Sequence, residues 1–222
     1  ETPGKMTQRV LVVGKVGTGK TAMTQLFGQN IIREAARRGI NLHYVHVNCR
    51  ECKGSLFMVI QRVILKFHPT YPRRGYSAEE LLQALMQVLD EQKAYLILTL
   101  DESDALIQNE GSGSLYSLSR VQEDRQIATQ RLSLIGIARD MTLLSTLDAS
   151  TRSTLQRNII QLEEYSQPQL RDILDDRVAS AFRENTMPSQ CVDLIAELAA
   201  LESGDARYAI ELLWRAGKYA DA

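Results

Sequence analysis

Apolar residues fall in five short runs, near 9–14, 42–48, 95–100, 132–137 and 158–162, each too short for a typical helix. Between most of them the apolar spacing changes to the three-and-four repeat of an amphipathic helix. This alternation predicts a parallel sheet covered by helices on both faces. Helices are expected near 19–38, stopped by Gly39, near 54–67, and near 77–92, where Ser77 followed by Glu80 forms a capping-box signature. Beyond about residue 165 the strand signal disappears and helical patterns follow near 167–185, 188–202 and 205–220, with Pro168 and Pro188 suited to helix starts. Leu170, Ile173, Leu174, Val178, Ala181 and Phe182 share one face of the first of these. The pattern predicts an α/β domain over 1–164 and a small helical subdomain over 165–222.

The run Arg9-Val10-Leu11-Val12-Val13 leads directly into Gly14-Lys15-Val16-Gly17-Thr18-Gly19-Lys20-Thr21, which satisfies G-x-x-x-x-G-K-[ST] between a strand and a helix. Its glycines let successive backbone N–H groups point at an anion, and the following helix adds the positive end of its dipole. Lys20 is expected to reach the β- and γ-phosphates of a nucleotide and Thr21 to offer its hydroxyl to Mg²⁺. Gly14, Val16, Gly17, Thr18, Gly19, Lys20, Thr21 and Ala22 are the candidate binding residues for ATP or ADP. A second motif, Tyr95-Leu96-Ile97-Leu98-Thr99-Leu100-Asp101-Glu102, reads as a buried strand ending in two carboxylates. Asp101 is the candidate on the metal side, and Glu102 is placed to orient or deprotonate an attacking water. The Gly-Ser stretch over 111–114 is expected to be a flexible loop close by.

The chain has 222 residues, 44 % apolar and 24 % charged, an ordinary globular composition. A net charge of −1 argues against gripping DNA by bulk electrostatics, and the Arg33, Arg37 and Arg38 cluster reads as a solvated helix face. No apolar run approaches the roughly 20 residues that span a bilayer, so no membrane association and a cytoplasmic location, nuclear in a eukaryote, are expected. Three cysteines argue against a disulfide framework. Cys49 and Cys52 have C-x-x-C spacing without a second matching pair, and His43 and His46 should point to opposite faces of a strand, so an ordinary reduced pair is expected rather than a metal or redox centre.

The order of several stretches resembles the AAA+ initiator ATPases of DNA replication, the family of the largest origin recognition complex subunit and cell division control protein 6 with their archaeal relatives. The stretches are the phosphate loop, Tyr44-Val45-His46-Val47-Asn48-Cys49-Arg50, Leu100-Asp101-Glu102-Ser103-Asp104-Ala105-Leu106 and Leu115-Tyr116-Ser117-Leu118-Ser119-Arg120. Leu134-Ile135-Gly136-Ile137-Ala138-Arg139-Asp140 is similar to the family's sensor 1 strand, and the stretch from Gly204-Asp205-Ala206-Arg207 through Gly217 to its sensor 2 helix. The resemblance implies a P-loop NTPase sheet sandwiched by helices, followed by a helical lid, with Arg207 sensing the γ-phosphate from the lid. It further implies ATPase activity with weak turnover, origin DNA, a replicative helicase or other initiator subunits as partners, and assembly into a homo-oligomer. A clamp-loader or chaperone-type ATPase, and a nucleotide-binding switch with little hydrolysis, are the alternatives.

Two departures from the family bear on hydrolysis. Arg139 stands where the sensor 1 strand usually carries Asn, and Ser150 where an arginine finger is usual, with Arg152 a substitute nearby. The family also carries an adenine-contacting segment before the loop and a winged-helix DNA-binding domain after the lid. The expectation is that neither is among the present residues, which are a piece of a longer protein or a short paralogue, and that stable origin binding needs the winged helix.

Overall fold

A computed structural model describes residues 8–220 except 123–124, 126–128, 146, 148 and 157. The described residues divide into two compact units, one from 8–13 with 21–161, the other from 14–20 with 162–220.

The first unit is built on five parallel strands: β1 (Arg9–Val13), β2 (Leu42–Asn48), β3 (Tyr95–Asp101), β4 (Leu132–Ala138) and β5 (Ile159–Gln161). They lie in the order β2-β3-β4-β1-β5. Parallel neighbours force crossovers, which the helices α1 (Lys20–Arg37), α2 (Leu56–Phe67), α3 (Ala78–Glu91), α4 (Ser103–Glu110), α5 (Gly113–Arg120), α6 (Thr142–Ser145) and α7 (Ala149–Leu155) supply. β3 lies between β2 and β4, and its Leu96, Leu98 and Leu100 are buried. On α2 the residues Leu56, Val59, Ile60, Val63 and Ile64 recur at helical spacing and are buried, forming with Leu81, Leu85 and Leu89 of α3 part of one core. The capping box at α3 is present: Glu80 N–H donates to Ser77 Oγ at 3.1 Å and Ser77 N–H to Glu80 Oε2 at 2.7 Å.

Register fixes what meets at the carboxyl ends of the strands. Asn48 stands opposite Asp101, Leu100 opposite Gly136 and Val13 opposite Ala138. His43 and His46 point to opposite faces: His43 packs edge-on against Phe67, while His46 turns to Asp101. The Gly-Ser stretch is not one loop. Gly111 ends α4 with φ +75°, and α5 starts at Gly113, with Ser114 Oγ donating to the Gly111 carbonyl at 3.0 Å.

The second unit is a three-helix cluster of α8 (Gln167–Ala181), α9 (Ser189–Glu202) and α10 (Ala206–Ala220). Leu170, Leu174, Val192, Ile195, Ala196, Ala199, Ala209 and Leu213 form its core, with Val178 and Phe182 packed against it. Helix α8 stops earlier than its sequence pattern, because Phe182 is extended at ψ 155° and Asn185 takes φ 62°. Residues 14–20 belong to this unit.

Candidate functional site

In the first unit, the chemistry gathers at the end of β3. Asp101 is buried, 6 % exposed. Its Oδ2 accepts a hydrogen bond from Thr21 Oγ1 at 2.7 Å, His46 Nε2 lies 3.1 Å from the same oxygen, and Oδ1 accepts the Glu102 N–H at 2.9 Å. Burial alone raises the carboxyl's pKa, but the bonds from His46, Thr21 and the Glu102 N–H outweigh it and hold Asp101 below the ordinary carboxylate value. A hydroxyl and an ionised carboxylate converging on one point are the hard oxygen donors that Mg²⁺ takes, alongside water and phosphate oxygens. Among the described residues no group of three or more His, Cys, Asp or Glu side chains forms an all-protein metal cage.

Glu102 follows in the left-handed region, φ 51° and ψ 46°, a conformation uncommon outside glycine; φ is positive also at Lys53, Lys93 and Asn185. Asn48 Nδ2 donates to Glu102 Oε2 at 3.1 Å. The amide is itself fixed, since its oxygen accepts the N–H groups of Arg50 and Glu51 at 2.9 and 3.1 Å. Two guanidiniums flank the carboxylate, with Arg50 Nε 3.6 Å from Oε2 and Arg139 Nη2 3.5 Å from Oε1. Cys49 and Cys52 are buried free thiols, and burial first, then the neighbouring Cys52 and Asp101, pushes the Cys49 thiol up to about 12. They are packing residues. Arg152 turns back onto its own segment, Nη2 donating to the Leu147 carbonyl at 2.9 Å, and the side chain of Ser150 lies outside the described residues.

In the second unit, Gly17 and Gly19 take φ +79° and +80°, which gives the phosphate loop its turn. Thr18 Oγ1 donates to the Lys15 carbonyl at 2.9 Å, and the Lys20 ammonium donates to the carbonyls of Gly14 and, at 2.6 Å, Lys15. Val16 is half exposed. Ala22, two residues beyond Lys20 in the chain, is exposed on the first turn of α1. Asp205 caps α10, its Oδ1 accepting the N–H groups of Arg207 at 2.7 Å and Tyr208 at 3.3 Å. That carboxylate lies where a Cβ on Gly17 would stand, and the Tyr165 hydroxyl does the same at Gly19. Ala206 N–H donates to the Gly17 carbonyl at 3.3 Å, and Lys15 pairs with Glu164. Arg207 is exposed on the first turn of α10.

His46, Asn48 and Arg50 around the acidic pair, and Glu164, Tyr165 and Asp205 around the loop, escaped the sequence reading as site residues. Asp before an apolar helix is an N-cap signal that points to Asp205. His46 needs the β2–β3 register, which no local pattern encodes.

A glycine loop with its lysine, a hydroxyl–carboxylate pair at a strand tip and a helical unit that holds the loop's glycines define a P-loop nucleotide-binding module of the AAA+ class. Residues 6–140 match the AAA domain family, and 171–222 match the Cdc6 AAA+ ATPase-type lid domain. The chain is 36 % identical to ORC1-type DNA replication protein 2 of Sulfolobus acidocaldarius, over 99 % of this chain and 54 % of the relative. The structure of the Aeropyrum pernix ORC1 protein in complex with DNA is 31 % identical, TM-score 0.85, covering 100 % of this chain and 55 % of that one. The Aeropyrum pernix ORC2 protein, solved as ADPNP–ADP complexes, shares the fold at 23 % identity and TM-score 0.88, covering 98 % of this chain and 58 % of that one. The chain belongs to the AAA family and is an AAA+ module of the Orc1/Cdc6 type, carrying that type's lid. It spans about half the length of the curated relatives it matches. No helix among the described residues is long and apolar enough to cross a membrane.

Proposed function

We propose that this chain is the nucleotide-operated part of a replication initiator, binding ATP or ADP with Mg²⁺ and hydrolysing ATP slowly. The observation that carries the reading is the 2.7 Å bond from Thr21 to Asp101, which sets the hydroxyl that closes the G-x-x-x-x-G-K-[ST] motif against the acidic strand tip. Thr21 and Asp101 would hold the metal, which when bound neutralises charge on the β- and γ-phosphates. Gly14, Val16, Gly17, Thr18, Gly19, Lys20 and Ala22 surround the phosphates, Glu102 receives the proton of the attacking water, and Arg207 on α10 answers the γ-phosphate. A fixed cation there binds the triphosphate state more tightly than the diphosphate state, so hydrolysis changes what α10 is held to. The Aeropyrum pernix ORC1 structure, solved in complex with DNA, supports DNA as a partner; origin DNA, other initiator subunits, the replicative helicase or further copies of the chain are the partners of this reading, recruited in the ATP state.

Calorimetry and single-turnover hydrolysis test this reading. Lys20→Ala is expected to weaken ATP binding by about 1.5–3 kcal/mol, the worth of a charge-assisted contact. Glu102→Gln should bind Mg²⁺–ATP like the parent while losing hydrolysis, since an amide keeps the shape but takes no proton. Parent-like ATP affinity in Lys20→Ala sinks the phosphate-loop assignment. The two arginines beside Glu102 fit the slow turnover of this reading.

A further inference from the structure

Glu102 is the residue the proposed hydrolysis depends on, and every group that touches its carboxylate within the strand-end cluster is a donor. Asn48 takes Oε2, Arg50 stands on the same oxygen, and Arg139 stands on Oε1. The backbone leaves Glu102 little freedom of its own, because φ 51° fixes the direction in which its side chain leaves β3. A carboxylate offers about four lone-pair sites, and with three donors turned to Glu102 few are left to direct at a water, which a general base needs.

Arg139 is placed by rigid structure. It follows Ala138, the last residue of β4, and β4 is the direct neighbour of β3. The Ser103 hydroxyl at the start of α4 donates to the Ile137 carbonyl at 2.9 Å, so the two segments are tied together one residue after Glu102 and two residues before Arg139. Asn48 alone would orient Glu102 as a neutral donor and leave Oε1 open. Arg139 adds a charge to that second oxygen.

We infer that Arg139 is a positioning residue that holds Glu102 in a resting arrangement, so that the basal hydrolysis of this chain is restrained by its own β4 strand end. Arg50 assists on the other oxygen. The inference rests on Glu102 being the base of the proposed reaction. The Arg139 and Glu102 side chains are 49 % and 30 % exposed, so the pair is partly screened and its removal should leave the fold intact. The same exposure sets the size of the restraint: release should raise the rate about three- to fivefold, what a half-exposed ion pair is worth.

The test is single-turnover ATP hydrolysis by Arg139→Asn, Arg139→Lys and Arg50→Gln, each also in a Glu102→Gln background, with ATP affinity by calorimetry and melting temperature for every variant. Arg139→Asn should hydrolyse about three- to fivefold faster at saturating ATP, with affinity and melting temperature held at the parent's. Arg139→Lys, which keeps the charge, should stay near the parent, and Arg50→Gln should give a smaller rise. In the Glu102→Gln background Arg139→Asn should change nothing. The ¹³C resonance of the Glu102 carboxyl in nucleotide-free protein gives a readout apart from turnover, and it should move in Arg139→Asn. An Arg139→Asn rate equal to or below the parent's, with Glu102→Gln inert, overturns the restraint and leaves the base assignment standing. Parent-like hydrolysis by Glu102→Gln instead overturns the base. An unmoved carboxyl resonance shows that the pair does not form in solution.

Discussion

Asp104 carries an enclosed carboxylate oxygen, Oδ2, that accepts no hydrogen bond. Desolvation raises its pKa above the ordinary aspartate value, and the N–H groups of Asp104 and Arg139 with the Arg139 charge offset it only in part. The folded chain therefore holds this proton more tightly than the unfolded chain does. The stability this contributes is complete below the ordinary value near 4 and is lost as pH rises through the raised one. At neutral pH the folded state then bears a poorly solvated charge. Asp104→Asn keeps an acceptor for the Arg139 N–H and removes that charge, so it should be more stable than the parent by about 1 kcal/mol at pH 8. Urea midpoints at pH 4 and pH 8 check this, and the gain over the parent should be larger at pH 8. A gain that shrinks as pH rises would show that Asp104 is better paired than its enclosure indicates.

Loop and helix meet at Gly17, where the φ of +79° and the lack of a Cβ are both used. Gly17→Ala must find room for a methyl group where the Asp205 carboxylate sits, and displacing Asp205 also uncaps α10. Each of these, the left-handed backbone included, costs about 1–2 kcal/mol. The variant should melt at a lower temperature and lose nucleotide affinity in calorimetry, whereas Gly113→Ala, where a Cβ meets nothing, should do neither. Parent-like melting of Gly17→Ala would mean that Asp205 does not rest on the loop. The contrast also shows what a sequence discloses. The strands were legible because apolar runs such as Leu96 to Leu100, interrupted only by the buried Thr99, belong to a buried strand. The Thr21–Asp101 pair was legible because each residue sits at a fixed offset from a recognisable strand. Asp205 against Gly17 was not, since the two stand 188 residues apart and only tertiary packing joins them. The short α6 and α7 carry too few turns for periodicity to register.

Charge balance over the chain decides how far these 222 residues can hold DNA unaided. The net charge is −1, and many cations are already engaged inside the protein. Arg37 and Arg38 pair with Glu34 at 3.6 and 2.7 Å, Arg62 with Glu51 at 2.9 Å, Arg125 and Arg131 with Asp90 at 2.8 and 2.6 Å, and Arg171 with Asp175 and Asp193. An arginine that must leave a carboxylate to meet a phosphate exchanges one partner for another and returns less than a free one. Few counterions are then released, and the sequence-independent affinity that such release provides is small. Duplex binding by these residues is therefore expected in the micromolar range or weaker at about 150 mM salt, and to weaken further as salt rises. ATP, proposed to bind through the loop's backbone N–H groups and Lys20, should bind more tightly than any duplex. Fluorescence anisotropy with origin and scrambled duplexes across a salt series decides the matter. Nanomolar, sequence-selective binding at physiological salt would show that the AAA+ module itself reads bases and that its internal ion pairs open on DNA.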